Sequence, residues 1–317
     1  MNTMPPELKA AIQAYLAGNN AGSLAGKTAR MSENYRQGGL SDRSLDFAAY
    51  LAARLPATFA AAVSCLAELV RRLPEFTPKS ILDAGSGPGT AAWAGILAYP
   101  DISDATFLDN NEQFLALASD LAAQSSHPAL EQARALVGDI SKLPPNTSAD
   151  LVIAAYAFAE LPLAKSSDAA LALWQACDDT LLIIEPGTPQ GFARIQQARS
   201  ALVAHGAHLV APCTHMNACP MVAPDWCHFS VRLPRSREHM HAKKATVPFE
   251  DEKFSYVIAS RQPVALRGAR ILAPPAESKA EIRFKLCSEN GLSRQGIARR
   301  DKAEYKRVRK LEWGDLL

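Results

Sequence analysis

The clearest candidate for chemistry is a glycine-rich turn, the segment Asp83–Thr90, which reads D-A-G-S-G-P-G-T. An apolar run precedes it and a helical pattern follows it, which is the strand–turn–helix context of a nucleotide-binding loop. Glycine has no Cβ, so the backbone can turn tightly there and a ligand can approach it closely. A dinucleotide fingerprint has its third glycine three positions after the second. Here Gly89 follows Gly87 by two positions, and this spacing disfavours a nicotinamide-dependent oxidoreductase.

The D-x-G-x-G-x-G pattern, with glycines at Gly85, Gly87 and Gly89, resembles motif I of the S-adenosylmethionine (SAM) methyltransferases. Two further acids follow at the spacing of that fold. Asp109 ends the second predicted strand, where a carboxylate can accept hydrogen bonds from both ribose hydroxyls. Asp139 follows the third strand, within reach of the adenine amino group, and Asp83 would face the methionine ammonium group directly or through water. The resemblance implies SAM as the cofactor.

The substrate end of this site carries a weaker pattern. Tyr156 and Glu160 follow the fourth predicted strand, and Glu185 begins the rigid turn E-P-G-T-P after the fifth. Ligands of open α/β sheets bind outside the carboxyl ends of the strands, so these three residues are catalytic candidates. The N/D-P-P-Y/F pattern of enzymes that methylate an exocyclic base nitrogen is absent after the fourth strand, and so is a cysteine nucleophile for pyrimidine C5. The sequence therefore assigns no catalytic role.

A cysteine cluster forms the second chemical feature. Cys213, Cys219 and Cys227 are spaced C-x5-C-x7-C in a stretch without strand or helix periodicity. A loop without its own hydrophobic core needs a cross-link, such as a bound metal, to hold its conformation. Cys287 ends a later predicted strand and is the natural fourth ligand. Four thiolates suit tetrahedral zinc or an iron–sulfur cluster, and spacing alone does not separate the two. A Cys3His zinc site completed by His215 or His228 is a further alternative.

The elements that position these residues are predicted to form an α/β fold. Apolar runs alternate with helical patterns from Lys79 onward, which favours a parallel sheet flanked by helices. The predicted strands are Ser80–Ala84, Ala105–Leu108, Ala133–Val137, Leu151–Ala155, Leu181–Ile184, Phe254–Ser260 and Glu281–Leu286, the last two completing the sheet with one of them antiparallel. The predicted N-terminal helices are Pro6–Ala17, Ser44–Arg54 and Ala57–Leu73.

Four regions follow from these patterns. They are an N-terminal helical segment (1–78), a Rossmann-like SAM-binding core (79–209), a cysteine-rich metal-binding insertion (210–253), and the last core strands with a basic C-terminal tail (254–317).

Charge is divided unevenly along the 317 residues. Residues 79–190 hold fourteen Asp/Glu against four Lys/Arg, whereas residues 228–310 hold twenty Lys/Arg against nine Asp/Glu. A sustained basic excess predicts an anionic partner, with nucleic acid the first candidate. The sequence shows neither a secretory signal nor a run of about 18 apolar residues, so we expect a cytoplasmic protein without a membrane partner.

In combination these motifs resemble one family, the methyltransferase-like proteins associated with the small ribosomal subunit, which are mitochondrial assembly factors with bacterial relatives. The matching stretches are Tyr50–Thr58, Asp83–Trp93, Glu185–Pro189, Ala211–Phe229, Glu250–Tyr256 and Lys310–Asp315. The resemblance implies a SAM methyltransferase fold, a four-cysteine iron–sulfur site, and binding to small-subunit ribosomal RNA. It leaves two functions open: an RNA methyltransferase, or a non-catalytic assembly factor that uses the fold as an RNA-binding platform.

Overall fold

An eight-stranded mixed sheet forms the centre of the protein. The computed structural model describes residues 4–18, 46–243 and 246–317. The strands of this sheet are β1 (Ser80–Ala84), β2 (Asp104–Asp109), β3 (Arg134–Val137), β4 (Ala149–Ala155), β5 (Cys177–Pro186), β6 (His208–Ala211), β7 (Phe229–Pro234) and β8 (Phe249–Ser260).

The strand order is β3-β2-β1-β4-β5-β8-β6, and β7 pairs with the first half of β8. Strands β1 to β5 run parallel to one another, whereas β8 runs antiparallel between β5 and β6. The order reverses between β1 and β4, which is the switch point at which open α/β sheets bind ligands. This is a Rossmann-like sheet, as the apolar runs predict, and the predicted segment Phe254–Ser260 forms most of its antiparallel strand β8; the sequence did not predict β6 and β7.

Helices cover both faces of the sheet. They are α1 (Pro6–Gly18), α2 (Phe47–Arg72), α3 (Thr90–Ala98), α4 (Glu112–Ala122), α5 (Pro128–Glu131), α6 (Ser166–Gln175), α7 (Pro189–Ala204), α8 (Arg237–Lys243) and α9 (Lys302–Val308). One face packs against Leu66 of α2 and Trp93 of α3, and the other against Trp174 of α6 and Leu202 of α7. These side chains are at most 4% exposed.

The helix α2 is continuous where the sequence predicts two helices separated by Pro56. Its segment Tyr50–Arg54 is a π-helical turn, closed by a hydrogen bond that Leu55 N donates to Tyr50 O. Proline lacks the amide hydrogen and its ring clashes with the carbonyl four residues earlier, so a normal α-turn is disrupted there. The widened turn accommodates Pro56 without ending the helix. The predicted start at Ser44 lies outside the described residues.

The same helix is the one described segment long and apolar enough to cross a membrane, with a mean hydropathy of 1.4 over its most apolar window. That window is 67% buried within the protein. Burial of this extent is that of a core helix, and α2 packs against the sheet accordingly.

A second, four-stranded sheet stands apart from the first, and here the sequence expectation was wrong. It contains β9 (Arg270–Ile271), β10 (Ala276–Glu277), β11 (Glu281–Ser288) and β12 (Gly291–Ala298). The predicted strand Glu281–Leu286 therefore does not complete the core sheet. It pairs with β12 across a tight turn and covers its own small core around Phe284 and Val308. The basic segment Arg294–Lys310, for which the sequence allows a helix or a tail, is half of β12 followed by α9.

One buried arginine joins this small sheet to the rest of the molecule. The side chain of Arg270, 2% exposed, donates from Nε to Pro212 O (2.8 Å), from Nη1 to Gly314 O (2.6 Å) and from Nη2 to Glu68 Oε1 (2.8 Å). Its three acceptors lie on the cysteine loop, the C-terminal segment and α2. Arg270 therefore fixes three sequence-distant elements around one guanidinium.

Candidate functional site

The glycine turn lies at the carboxyl end of β1, at the switch point of the sheet. Gly85, Gly87 and Gly89 all have positive φ angles, +70°, +51° and +76°. The amides of Gly85 and Ser86 donate to Leu108 O at 2.7 and 3.0 Å, which fastens the turn to β2. Left-handed backbone at three alternate positions is readily adopted only by glycine, so the spacing of the motif follows from the shape of the turn.

The space around each glycine differs. A Cβ on Gly85 would lie 2.5 Å from the Cβ of Ala157, and one on Gly89 would lie 3.0 Å from Cε1 of Phe107. Those two glycines are needed for packing against the protein itself. At Gly87 the nearest atom is the hydroxyl oxygen of Tyr50, 3.5 Å away. Gly87 is therefore the position at which the turn leaves room for a ligand beside the backbone.

Asp109, at the end of β2, holds the turn from the side. Its Oδ2 accepts from Gly87 N at 2.8 Å, and its Oδ1 accepts from Asn111 N at 2.9 Å. Burial raises the pKa of this carboxyl above its usual value, and the two backbone hydrogen bonds counteract that rise. Each carboxylate oxygen keeps a second lone pair, so Asp109 can accept further hydrogen bonds from a ligand.

The other two predicted acids flank this position. Asp83 is buried with 1% exposure and accepts from Ala92 N at 2.9 Å, so it braces the turn against the first turn of α3. Burial raises the pKa of Asp83 to about 8. Asp139 is exposed beyond β3 and accepts from Ser141 N at 2.7 Å. Gly138 N donates to Asp109 O at 3.0 Å, so the three acids occupy the carboxyl ends of three adjacent strands.

We call the region outside the carboxyl ends of β1, β2 and β4, beside the glycine turn, the opening; the first catalytic candidate, Tyr156, is buried away from it. It has a φ of +63° and is 4% exposed, and its hydroxyl donates to Glu252 Oε1 at 2.8 Å. The guanidinium of Arg54 lies 5.1 Å from the centre of the Tyr156 ring and 3.8 Å from the same Glu252 oxygen. Burial, then the negative charge of Glu252, raises the pKa of the phenol well above its usual value. The hydroxyl is thus engaged in a buried network beneath α2.

The second candidate, Glu185, is fully buried under the loop that follows β4. Its Oε1 accepts from Phe158 N at 2.9 Å, while Oε2 has no hydrogen-bond partner. Burial raises the pKa of Glu185 to about 8, although the charge of Arg194 opposes the rise. Arg194 donates to Leu161 O at 3.2 Å. Glu185 and Arg194 therefore hold the two ends of the loop Phe158–Leu161 from below.

Glu160, carried on that loop, is the one catalytic candidate with an exposed side chain. Partial burial of the carboxyl and then the charge of Asp109 raise its pKa to about 7. A carboxyl with a pKa near neutrality can both give and take a proton. The structure therefore places one titratable group at the rim of the opening, next to the glycine turn, and two beneath it.

The four predicted cysteine ligands come together. Cys213, Cys219, Cys227 and Cys287 line one cavity between α7, the loop before β7 and the second sheet. Burial and then the neighbouring thiols raise the pKa of Cys227 well above its usual value and that of Cys287 to about 11. The Nε of Arg199 donates to Cys213 Sγ at 3.3 Å.

Within the described part of the chain, no group of three or more His, Cys, Asp or Glu side chains stands at ligating geometry. Four convergent thiols are nonetheless the donor set that soft metals prefer. His215 lies in the same cavity, with Nε2 3.5 Å from Cys287 Sγ. His228 instead stacks on Trp226, so of the two histidines only His215 lines the thiol cavity.

Six further side chains position these groups, and no sequence motif assigns them that role. They are Tyr50, Arg54, Arg194, Arg199, Glu252 and Arg270. Tyr50 and Arg54 fall in the stretch Tyr50–Thr58, which resembles the small-subunit family, and this was their only signal. No spacing rule connects a residue of α2 to a partner on β8, because their contact exists only in the folded chain.

Solved structures with a similar fold include methyltransferases. Magnesium protoporphyrin IX methyltransferase from Synechocystis with bound SAM is 13% identical, covers 73% of this chain and 91% of its own, and has a TM-score of 0.43. A TehB-like SAM-dependent methyltransferase from Corynebacterium glutamicum is 16% identical, covers 74% and 98%, and has a TM-score of 0.39.

Curated relatives are similar over most of the chain. The human ribosome assembly protein METTL17, mitochondrial, is 28% identical over 287 residues, covering 84% of this chain and 61% of METTL17. The Rsm22-cox11 tandem protein 2, mitochondrial, of Schizosaccharomyces pombe is 26% identical over 320 residues, covering 84% and 42%. The chain thus spans about three fifths of the first relative and two fifths of the second. Residues 44–317 match the family described as mitochondrial small ribosomal subunit Rsm22, and the chain belongs to that family.

Proposed function

We propose that this protein is a SAM-binding, methyltransferase-like protein of the small ribosomal subunit that acts on or binds the RNA of that subunit. The observation that carries the proposal is the intact glycine turn at the switch point, with room beside Gly87 and the carboxylate of Asp109 bonded to its amide. Membership of the Rsm22 family supplies the ribosomal context.

The residues present fit SAM. Asp109 has lone pairs left for the ribose hydroxyls, and Asp139 is exposed at the next strand end, where it would receive the adenine amino group. Asp83 supports the turn that would bind the methionine part, while Gly87 admits the ligand close to the backbone. When bound, SAM supplies an electrophilic methyl group on a sulfonium. The contribution of the chain is to orient that methyl toward an acceptor, because displacement at carbon depends on alignment.

Small-subunit RNA as partner is supported by the relatives and by charge. METTL17 is named a ribosome assembly protein. In this chain all eight basic residues from Arg294 to Lys310 are exposed, on β12, on α9 and on the short segments that follow each of them. Exposed arginines and lysines on one small module supply the electrostatic contacts that bind a phosphate backbone.

A non-catalytic assembly factor is the second candidate, and the positions of Tyr156 and Glu185 favour it. Two of the three side chains that the sequence offers for chemistry are bonded inside the protein, Tyr156 to Glu252 and Glu185 to the amide of Phe158. Only Glu160 remains at the rim with a pKa near 7. In this alternative the fold binds SAM and RNA without transferring the methyl group.

We also propose that Cys213, Cys219, Cys227 and Cys287 hold a [4Fe–4S] cluster, with zinc as the alternative. The support is that four thiols from a loop and a strand line one cavity, with a charged donor, Arg199, on Cys213. Cationic donors near the sulfurs stabilise the thiolate form that ligates metal. The site would tie the irregular loop to the second sheet and has no contact with the glycine turn in this proposal.

The decisive experiment compares cells lacking the gene with cells that carry either the wild-type protein or Gly87→Val. A valine side chain would occupy the open side of the turn and impose a β-branched residue on a positive φ, so SAM binding should be lost. Small-subunit RNA is then mapped for modified nucleotides by mass spectrometry, and subunit assembly is measured by sedimentation.

Loss of one modified nucleotide in the Gly87→Val cells supports the enzyme. Normal modification with defective assembly in the deletion supports the non-catalytic factor. Normal assembly and normal modification in the deletion contradict both. Thermal stability of the purified variant checks that the turn alone is affected. The cytoplasmic location expected from the sequence stays a prediction, and both relatives named above are mitochondrial by name.

A further inference from the structure

Three aromatic rings outside the glycine turn form a contiguous cluster, two of them on the loop that carries the cysteines and one on the C-terminal segment. Trp226 and His228 stack with ring centres 5.1 Å apart and planes 20° from parallel. His228 meets Trp313 edge to face at 4.9 Å. All three side chains are half-buried. We call these residues the aromatic cluster.

The cluster stands at the carboxyl edge of the core sheet. The indole Nε1 of Trp226 donates to Gly187 O at 3.0 Å, and Gly187 directly follows β5. Gly187 N in turn donates to Lys253 O of β8 at 2.9 Å. Strand β5 neighbours β4, whose following loop carries Glu160. The cluster therefore lies at the same carboxyl edge of the sheet as the proposed cofactor site, at the end of β5 and two strands away from the glycine turn on β1.

The immediate surroundings are basic and open. Lys253 is exposed on β8, opposite Ser230 of β7, and Lys285 lies on β11, where it pairs with Asp225 beside Trp226. The loop before the cluster presents Val222, which is 71% exposed. Half-buried rings flanked by lysines at a sheet edge combine a surface for stacking with positive charge for phosphates, which is how proteins bind unpaired nucleotides.

We propose that the aromatic cluster is a stacking platform for one unpaired base of the RNA partner, positioned beside the opening at the end of β5. The proposal rests on the proposed function, which makes RNA the partner. Trp226 offers the ring for stacking, its indole NH being already used to anchor it to the turn after β5. Lys253 contacts the adjoining phosphate.

The test measures binding of the full-length, metal-replete protein to a fluorescent single-stranded RNA of about twelve nucleotides. A second oligomer has the same ribose–phosphate backbone and abasic positions in its centre. Variant Trp226→Leu removes the stacking ring. Variant Phe249→Leu is the matched control, because Phe249 is an exposed aromatic residue (38%) on β8 outside the cluster, beneath Arg232.

We expect removal of the central bases to weaken binding about fivefold or more in the wild type and in Phe249→Leu. Trp226→Leu should bind the two oligomers equally, and Trp226→Phe should restore part of the preference. Quenching of tryptophan fluorescence in the wild type by the base-containing oligomer alone provides a reading that needs no variant.

Equal binding of both oligomers by the wild type, without quenching, would overturn the stacking proposal while leaving RNA binding intact. A base preference that survives in a folded Trp226→Leu protein would overturn it as well. Absence of binding to either oligomer and to small-subunit RNA would instead refute the RNA partner itself, and the proposed function with it.

Discussion

Replacing Arg270 by methionine should lower the free energy of unfolding by about 3–5 kcal/mol, the cost of breaking a buried ion pair from one side. The guanidinium is 2% exposed and makes three hydrogen bonds of 2.6 to 2.8 Å, one to the carboxylate of Glu68 and two to backbone carbonyls. Methionine fills similar space without donors, so both carbonyls lose this donor and the carboxylate of Glu68 loses its most buried ion-pair partner. Urea unfolding of the full chain at neutral pH measures the loss.

Glu68→Gln and the double variant complete the test. Glu68 also contacts Arg71 and Arg72 of its own helix. Glu68→Gln alone therefore removes the negative charge that Arg71, Arg72 and Arg270 share. We expect the double variant to lose less stability than the sum of the two single losses, since the shared contact is removed only once. If Arg270→Met lowers the free energy of unfolding by less than about 1 kcal/mol, Arg270 is not what holds the three elements together. The same conclusion follows if the losses of the two single variants add up to that of the double variant.

The same contact predicts a dependence on pH. Burial alone would raise the pKa of Glu68, but the charge of Arg270 and the hydrogen bonds from Arg71 and Arg270 outweigh it and hold the pKa below its usual value. A folded-state pKa below the unfolded one, about 4.3, means that the ionised carboxylate stabilises the fold above that pH. The contribution is lost as the pH falls through the folded value. The difference in free energy of unfolding between the wild type and Arg270→Met should therefore become smaller at acid pH.

Three further predictions concern ligands. Asp109→Ala removes the acceptor of the Gly87 amide and the proposed ribose contacts, so SAM affinity measured by calorimetry should fall tenfold or more; unchanged affinity would reject the ribose assignment. Replacing exposed Arg300, Lys306 and Lys310 by serine should reduce the slope of log affinity for RNA against log salt concentration by about 2. These substitutions leave β12 whole, which a truncation at Arg294 would not. An unchanged slope would mean that these residues do not contact RNA. Anaerobically purified protein should be brown from thiolate-to-iron charge transfer, and Cys219→Ser should lose both metal and stability. A colourless protein with one equivalent of zinc would identify the metal as zinc. A Cys219→Ser protein that keeps its metal and its stability would reject the four-cysteine site.

The sequence predicted β1, β2, β4 and β5 well because these strands are largely buried and read as continuous apolar runs, but it did not predict β6 and β7. It did not predict β12, whose residues Leu292–Gly296 are exposed and largely polar. It also placed β11 in the wrong sheet, since an alternating strand such as Glu281–Ser288 fits any sheet with one covered face. Which sheet it joins depends on β12 and α9, and no local pattern reports that.

For the candidate site, the glycine turn and its acids followed from spacing, because the turn is local and each strand end is visible in the sequence. The catalytic candidates did not. The fate of Tyr156 is decided by Glu252, 96 positions later, and by Arg54, on a helix before the sheet. A polar residue after a strand is equally compatible with an open site and a buried network, and only tertiary contacts distinguish them.

The place of β8 in the sheet sets the order in which the protein can be completed during synthesis. Strand β8 lies between β5 and β6 although the chain makes it last of the three. Until residues 249–260 leave the ribosome, β5 has an unpaired edge, and β6 and β7, on either side of the cysteine loop, have no partner strand. Such an edge invites pairing with other chains. The newly made residues 1–248 should therefore depend on chaperones until β8 enters the gap and closes the sheet.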